Sequence, residues 1–121
     1  MAGADTHHED HPMATDSPLP DLIRQFVRVD PAVVTTAATI PSSILADVAG
    51  RRGALHGRIA PLAPSMRFAG PALTVEVRPG DNLMIHAALA IAQPGDVIVV
   101  DGKAVLSSAL MGEIMSQQCV A

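Results

Sequence analysis

The order strand, helix, strand within residues 71–102 limits the folds open to this chain more than any other feature. Apolar and polar residues alternate over 73–77, which is typical of a strand with one buried face. Residues 82–92 are apolar and rich in alanine, which predicts a helix that packs closely on a sheet. Residues 96–102, DVIVVDG, form a continuous β-branched run, typical of a central parallel strand covered on both faces. Parallel strands need a crossover connection, so the sequence predicts an α/β fold.

Two short helices are predicted before this unit. Apolar residues over 22–27 follow helical spacing behind Asp21, which is placed to cap the first turn, and Asp30-Pro31 is expected to end that helix. Residues 41–50, PSSILADVAG, predict a second helix that begins near its serines and is closed by Gly50.

The remaining body of the chain divides into a loop and a last helix. Residues 51–64 contain glycines, prolines and three arginines, which predicts an irregular surface loop. Residues 109–121, ALMGEIMSQQCVA, predict a helix with no glycine cap after it.

Composition excludes several classes of protein. Residues 1–17 carry four acidic residues, three histidines and no lysine or arginine, and we expect this segment to be a disordered tail. Its histidines could in principle ligate a transition metal, since His7 and His11 would share one face of a helix, but we expect a solvated tail. The other 104 residues balance eight acidic against eight basic side chains, and the chain has two aromatic residues, so no nucleic-acid interface is expected.

No stretch of the sequence predicts a transmembrane helix or a signal peptide, because apolar runs are short and the N-terminus is acidic. Cys119 is the single cysteine, which excludes an internal disulfide and agrees with a reducing compartment. We therefore expect a cytoplasmic protein.

Three segments in order, GRRGALHGRIAPL, then RFAGPALTVEVRPGDNLMIHAALAIAQPGDVIVVDG, then MGEIM, closely resemble the RraA-like family. The resemblance covers about residues 35–121. The family includes the class II 4-hydroxy-4-methyl-2-oxoglutarate (HMG) and 4-carboxy-4-hydroxy-2-oxoadipate (CHA) aldolases. The GDNLMIH, PGD and VVDG segments are closer to these aldolases than to the shorter members that regulate a ribonuclease.

The resemblance implies a β-β-α swivelling-domain-like (RraA-like) fold, a homotrimer and an active site near the subunit boundary. It also implies a divalent metal cation, magnesium in most members, which stabilises a pyruvate enolate as a Lewis acid. The implied reactions are cleavage of a 2-oxo-4-hydroxy acid to pyruvate and decarboxylation of oxaloacetate.

The family motif assigns substrate binding to Gly112, Glu113, Ile114 and Met115. By this resemblance the turn opens a helix whose free N–H groups hold the substrate carboxylate, in keeping with the general affinity of helix N-termini for anions. The family's Arg-Asp pair, which grips substrate and metal, would lie beyond Ala121. We therefore expect residues 18–121 to be the N-terminal portion of a single RraA-like domain, incomplete at the C-terminus.

The side chains themselves favour a metal-dependent route over a Schiff base. A Schiff-base aldolase needs a desolvated lysine, whereas Lys103, the sole lysine, is expected to be solvated in a loop. The body offers oxygen and nitrogen ligands that are scattered along the sequence. They are Asp47, His56, Asp81, His86, Asp96, Asp101 and Glu113.

Most of these side chains also have a structural interpretation. We expect Asp81 to cap a helix, His86 to be packed or hydrogen-bonded on that helix, and Asp96 to close a turn. Asp101 either faces a ligand or belongs to an Asp-Gly turn. Glu113 either serves the site or complements the helix dipole.

Arginines and methionines receive structural interpretations too. The arginines of the glycine-rich loop are expected at a subunit contact, with an anionic substrate as the alternative; they are Arg51, Arg52 and Arg58. Three methionines are expected to fill the core: Met84, Met111 and Met115.

Three functions remain open on the sequence alone. The first is a metal-dependent aldolase or decarboxylase of 2-oxo acids. The second is a non-catalytic regulator that binds a ribonuclease, and the third is a vestigial fragment with a loose fold.

Overall fold

A computed structural model describes residues 22–120, which form four helices and two strands. The helices are α1 (Pro31–Ala38), α2 (Ser42–Val48), α3 (Leu83–Ile91) and α4 (Glu113–Gln118), and the strands are β1 (Ala72–Glu76) and β2 (Val97–Asp101). The predicted disordered tail and the predicted cap at Asp21 lie outside the described residues.

The sheet is a parallel pair in which β1 and β2 run in register from Ala72 opposite Val97 to Glu76 opposite Asp101. One hydrogen bond at each end extends the pairing, from Val97 N to Pro71 O at 2.8 Å and from Val77 N to Asp101 O at 3.2 Å. The predicted α/β class and the parallel connection are confirmed. Within residues 22–120, however, β2 has β1 as its one strand neighbour and its apolar side chains are half-buried, so full cover on both faces is not observed.

The core lies on one face of β1. The alternation predicted for this strand is confirmed, since Leu73, Val75 and Val77 are buried while the residues between them are exposed. Ile85 of α3 is fully buried against this face, and Ala88, one turn later, lets the helix backbone approach the sheet. Met115 of α4 completes the buried cluster.

The helix predicted over residues 22–27 is wrong. Residues 22–30 have no regular secondary structure, and the first helix begins where we expected that one to end. Asp30 caps α1, accepting a hydrogen bond from Ala32 N at 2.7 Å through Oδ1, and Pro31 occupies the first helical position. An Asp-Pro pair fits a helix start as well as a stop, because proline at that position has no N–H to leave unpaired.

The second helix is confirmed, and Gly50 follows its end with a left-handed φ of 68°. Neither α1 nor α2 buries a residue, and Val48 of α2 is 84% exposed. The loop predicted over residues 51–64 is confirmed, whereas α4 begins at Glu113 and is shorter than predicted. Among the helices of the described chain, none alone is long and apolar enough to span a membrane; α1 and α2 reach that length only together, bent by 114°.

At Gly70 the segment before β1 lies close to the turn before β2. A Cβ at this position would lie 2.1 Å from Gly95 O and 3.0 Å from Val97 Cγ2. Backbone cannot yield as a flexible side chain does, so the absence of a side chain at Gly70 is required for the two strands to start side by side.

We predict that Gly70→Ala lowers the free energy of unfolding by about 1–3 kcal/mol, because the added methyl group displaces the Gly95 carbonyl. Urea unfolding followed by circular dichroism measures the change. Gly57→Ala is the matched control, since a Cβ at Gly57 would meet no atom within 4 Å. Equal stability of the two variants would contradict the close packing at Gly70.

Candidate active site

The carboxyl edge of the sheet is the candidate site, because open α/β sheets bind ligands beyond the carboxyl ends of their strands. Residues 77–82 leave β1 at this edge and residues 102–112 leave β2. The two loops touch, since a Cβ on Gly80 would lie 3.3 Å from Ser108 Oγ. Asn82 Nδ2 donates a weak hydrogen bond to Met115 Sδ at 3.8 Å. The start of α3, the loop after β2 and the start of α4 are thereby packed together.

The turn predicted to bind substrate opens α4, in agreement with its predicted place at a helix start. Gly112 is the extended residue before the helix, and its carbonyl accepts hydrogen bonds from Ser116 N and Ser116 Oγ, both at 3.0 Å. Glu113 lies in the first turn and is exposed, and its Oε1 accepts a hydrogen bond from Gln117 Nε2 at 3.3 Å. The Glu113 carboxylate therefore stands where it complements the positive end of the helix dipole.

The expected role of Met115 in substrate binding stays a prediction, because it concerns the backbone N–H and not the side chain. Its side chain is buried in the core on the inner face of α4, which agrees with the prediction that it fills the core. The side chain therefore cannot contact a ligand at the surface of the turn. Only the backbone N–H of Met115, in the first turn of the helix, is left to serve that purpose.

An ion-pair cluster that the sequence did not predict lies at the same edge. Lys103 Nζ donates hydrogen bonds to Glu76 Oε1 and to Asp101 Oδ2, the latter at 2.7 Å, and Asp101 Oδ1 accepts from Lys103 N at 3.0 Å. The predicted loop position and exposure of Lys103 are confirmed, and its ammonium group is in addition paired with two carboxylates. Asp101 is the last residue of β2 and its carboxylate accepts from the backbone of the turn that follows, while its alternative role toward a ligand stays a prediction.

These contacts favour the charged forms of both groups. Hydrogen bonds to Asp101 and then to Glu76 raise the pKa of Lys103 above its ordinary value. Hydrogen bonding from the Lys103 side chain and backbone lowers the pKa of Asp101. A lysine held as an ammonium ion at neutral pH is a poor Schiff-base nucleophile, which agrees with the reaction type that the sequence favours.

Asp96 combines its predicted turn with an ion pair that the sequence did not predict. Arg28 Nε and Nη2 contact Asp96 Oδ1 and Oδ2 at 2.9 and 2.8 Å, and Asp96 Oδ2 also accepts from Gln93 N at 2.9 Å. The Asp96 side chain is 2% exposed. Arg28 also lies over the Phe26 ring, 4.4 Å from its centroid, and its hydrogen bonds to Asp96 lower the pKa of that carboxyl.

The other candidate ligands are dispersed through the fold. Asp81 Oδ1 accepts from Leu83 N at 2.8 Å at the start of α3, which confirms its capping role. His86 is exposed on α3 and its side chain forms no hydrogen bond within residues 22–120, so the prediction that it is packed or hydrogen-bonded is wrong. Asp47 pairs with Arg51 at 3.9 Å, and His56 Nδ1 accepts from Arg58 N at 3.2 Å within its own loop. Residues 22–120 bring no three His, Cys, Asp or Glu side chains together in a way that could hold a metal ion.

The remaining predicted positions divide between core and surface. Met84 packs against the core, but Met111 is 41% exposed, so its predicted core role is wrong. The three arginines of the loop are exposed, and Cys119 is exposed as a free thiol. The subunit contact predicted for the three arginines remains a prediction.

The parallel pair with its crossover helix defines an α/β protein whose candidate site lies beyond the carboxyl ends of the strands. The RraA-like family, described as Aldolase/RraA, matches residues 27–121, and the chain belongs to this family. The resemblance inferred from the sequence motifs is thereby confirmed.

Two curated relatives share the name "Putative 4-hydroxy-4-methyl-2-oxoglutarate aldolase". The protein of Halalkalibacterium halodurans is 38% identical over 82 residues, which are 68% of this chain and 39% of the relative. The protein of Burkholderia multivorans is 44% identical over 64 residues, which are 53% of this chain and 38% of the relative. The chain therefore matches less than half the length of these relatives. No solved structure matches it.

We predict that Asp96→Asn lowers the melting temperature at pH 7 by roughly 4 °C or more, because it removes the charge that Arg28 pairs with. The pKa of Asp96 is lowered in the folded state. The ion pair therefore stabilises the protein above the pKa of the unfolded carboxyl and is lost as the pH falls through the folded pKa.

Thermal unfolding of both proteins between pH 7 and pH 3 measures this effect, and the difference between them should shrink on acidification. Asp47→Asn is the control, since its pair with Arg51 is exposed and long. A gap between wild type and Asp96→Asn that widens toward pH 3 would contradict the assignment.

Proposed function

We propose that this protein is a class II, divalent-cation-dependent aldolase that cleaves 4-hydroxy-4-methyl-2-oxoglutarate and related 2-oxo acids to pyruvate. Oxaloacetate decarboxylation is the proposed side activity, because both reactions pass through a pyruvate enolate. The observation that carries the proposal is the family match over residues 27–121, which includes the turn at the carboxyl edge. The names of two relatives at 38% and 44% identity support it.

The proposed role of Gly112, Glu113, Ile114 and Met115 is to bind the substrate carboxylate through backbone N–H groups. Support comes from the extended Gly112 followed by a helical first turn, since such a turn leaves N–H groups without intrahelical acceptors. The buried Met115 side chain fixes the turn against the core, which keeps these donors in place.

The described residues do not by themselves form a divalent-metal site. No three potential ligands converge within residues 22–120, and the Glu76 and Asp101 carboxylates are already engaged by Lys103. Magnesium binding thus stays a proposal from family membership, and no step through the metal is assigned to these residues. Their proposed contribution is substrate binding and orientation.

Other features implied by the family belong to the same proposal. They are the swivelling-domain-like fold, a homotrimer, a cytoplasmic location and the identity of residues 18–121 as one portion of a single domain. The alternative of a regulator that binds a ribonuclease remains a prediction as well, but both named relatives favour the aldolase.

We predict pyruvate release from 4-hydroxy-4-methyl-2-oxoglutarate in the presence of Mg²⁺, detected by coupled lactate dehydrogenase. The chelator EDTA should abolish the release and excess Mg²⁺ should restore it. Persistent activity in EDTA would refute metal dependence. Absence of pyruvate under all conditions would refute aldolase activity of this chain.

A proline at the first helical position tests the role of the turn. Glu113→Pro removes one backbone N–H, and proline is well tolerated there, whereas Glu113→Ala removes the carboxylate but keeps the N–H. We expect Glu113→Pro to raise KM about tenfold or more, since a hydrogen bond to a carboxylate is lost. Glu113→Ala should leave KM near that of wild type, and equal KM values for the two variants would exclude carboxylate binding by this N–H.

A further inference from the structure

The parallel register creates an electrostatic conflict at the carboxyl edge. Glu76 and Asp101 are Cα partners at the last position of the pair, so their side chains project on the same face of the sheet. Like charges directly opposite each other on neighbouring strands destabilise the pairing. A cation placed between the two carboxylates offsets this repulsion.

Lys103 supplies this cation. Its ammonium group donates to both carboxylates and so connects the end of β1 to the end of β2. Of the eight basic residues in the sequence, it is the one that pairs with either carboxylate. Arg78, which directly follows the β1 edge, is exposed and forms no ion pair within the described part of the chain.

The backbone at this point is strained. Lys103 and Ala104 have φ values of 57° and 55°, a left-handed conformation that is unfavourable for residues with a Cβ. Such conformations persist where surrounding contacts hold them, and they cluster at functional sites. Here the holding contacts are those of Asp101, whose two carboxylate oxygens accept from the side chain and the backbone N–H of Lys103.

Lys103 and Ala104 lie at the start of the loop that leads to the turn at Gly112. Gly102, directly before Lys103, packs so closely on Leu110 that a Cβ there would lie 2.8 Å from Leu110 Cδ1. Leu110 in turn packs against the core and lies two residues before Gly112. The loop is thus held at its beginning by Lys103 and at its end by Leu110.

We propose that Lys103 is a positioning residue for the turn Gly112–Met115: by bridging Glu76 and Asp101 it holds the strained start of the loop that aligns this turn. The role in substrate binding rests on the proposed function. The mechanism is electrostatic, because Lys103 offsets the repulsion between two carboxylates that the register forces together. Removing one carboxylate should therefore compensate for the loss of the lysine.

Four variants of the full chain test the proposal. Lys103→Met removes the charge at similar length, and Lys103→Arg keeps a cation with several donors. The double variant Glu76→Gln with Lys103→Met removes both the cation and the repulsion. Arg78→Met is the matched control for loss of a positive charge beside the same edge. Cooperative thermal unfolding is checked first for each variant. If Lys103→Met does not fold, the double variant and Lys103→Arg are compared with wild type in its place.

The functional readouts are KM for pyruvate release and the shifts of the Glu113–Met115 backbone amides in ¹⁵N spectra titrated with pyruvate. Lys103→Met should raise KM about fivefold or more with kcat changed less than about twofold, and should weaken the amide shifts. Lys103→Arg and Arg78→Met should behave as wild type. The double variant should recover most of the loss, as expected for directly coupled residues.

Hydrogen exchange of the backbone amides at residues 105–115 gives a readout that does not depend on activity. Faster exchange at these residues in Lys103→Met, but not in Arg78→Met, supports the positioning role. If wild type neither binds pyruvate nor releases it, the proposed function is refuted, but the exchange result still tests the positioning role. If Lys103→Met has the same KM and the same exchange rates as wild type, the inference is overturned. It is also overturned if the double variant has a KM as high as that of Lys103→Met.

Discussion

The parallel pairing of β1 with β2 is the constraint on which the rest of this structure depends. Two parallel strands cannot be joined by a tight turn, so the chain must cross over, and α3 makes that crossing. The crossover helix then has to cover the face of β1 that carries Leu73, Val75 and Val77. Ile85 and Ala88 of α3 pack with these side chains, and so does Met115 of α4. The same pairing also determines which residues share the carboxyl edge.

The sequence predicted the parts of the fold that local periodicity encodes. Alternation identified β1, the β-branched run identified β2, and the alanine-rich segment between them identified α3. The prediction that Asp30-Pro31 ends a helix is wrong because the pair fits both ends of a helix, and which end it marks depends on whether the residues before it pack elsewhere. They do, since Phe26 lies against the core and Arg28 reaches Asp96. Arg28 and Asp96 are 68 positions apart, and hydrophobic periodicity does not predict a contact over that separation.

The candidate site shows the same division. Its location at the start of α4 follows from the motif that includes Gly112 and Glu113, because a helix start is encoded locally. The bridge from Lys103 to Glu76 could not be predicted, since it depends on the register between two strands and on a left-handed backbone at a residue with a side chain. The sequence indicates that Lys103 lies in a loop, but it does not indicate which carboxylates the side chain pairs with.

The described chain divides into regions with different sources of stability. From β1 to α4, buried apolar side chains hold the elements together, whereas α1 and α2 bury no residue and rely on the cap at Asp30 and local hydrogen bonds. The connection between these regions includes the Arg28–Asp96 pair, which is shielded from solvent on the aspartate side. Local opening costs least where apolar contacts are fewest, so α1 and α2 are less strongly held than the sheet.

Electrostatics connect the stability of the carboxyl edge to its proposed chemistry. The proposed substrate is an anion, and without a cation the two carboxylates at the strand ends would repel each other and add negative charge to this edge. Lys103 reduces that negative charge while it holds the loop leading to Gly112. In this proposal Lys103 both stabilises the pairing of the strand ends and lowers the negative charge at the site. These two roles give a reason for the strained backbone at this position.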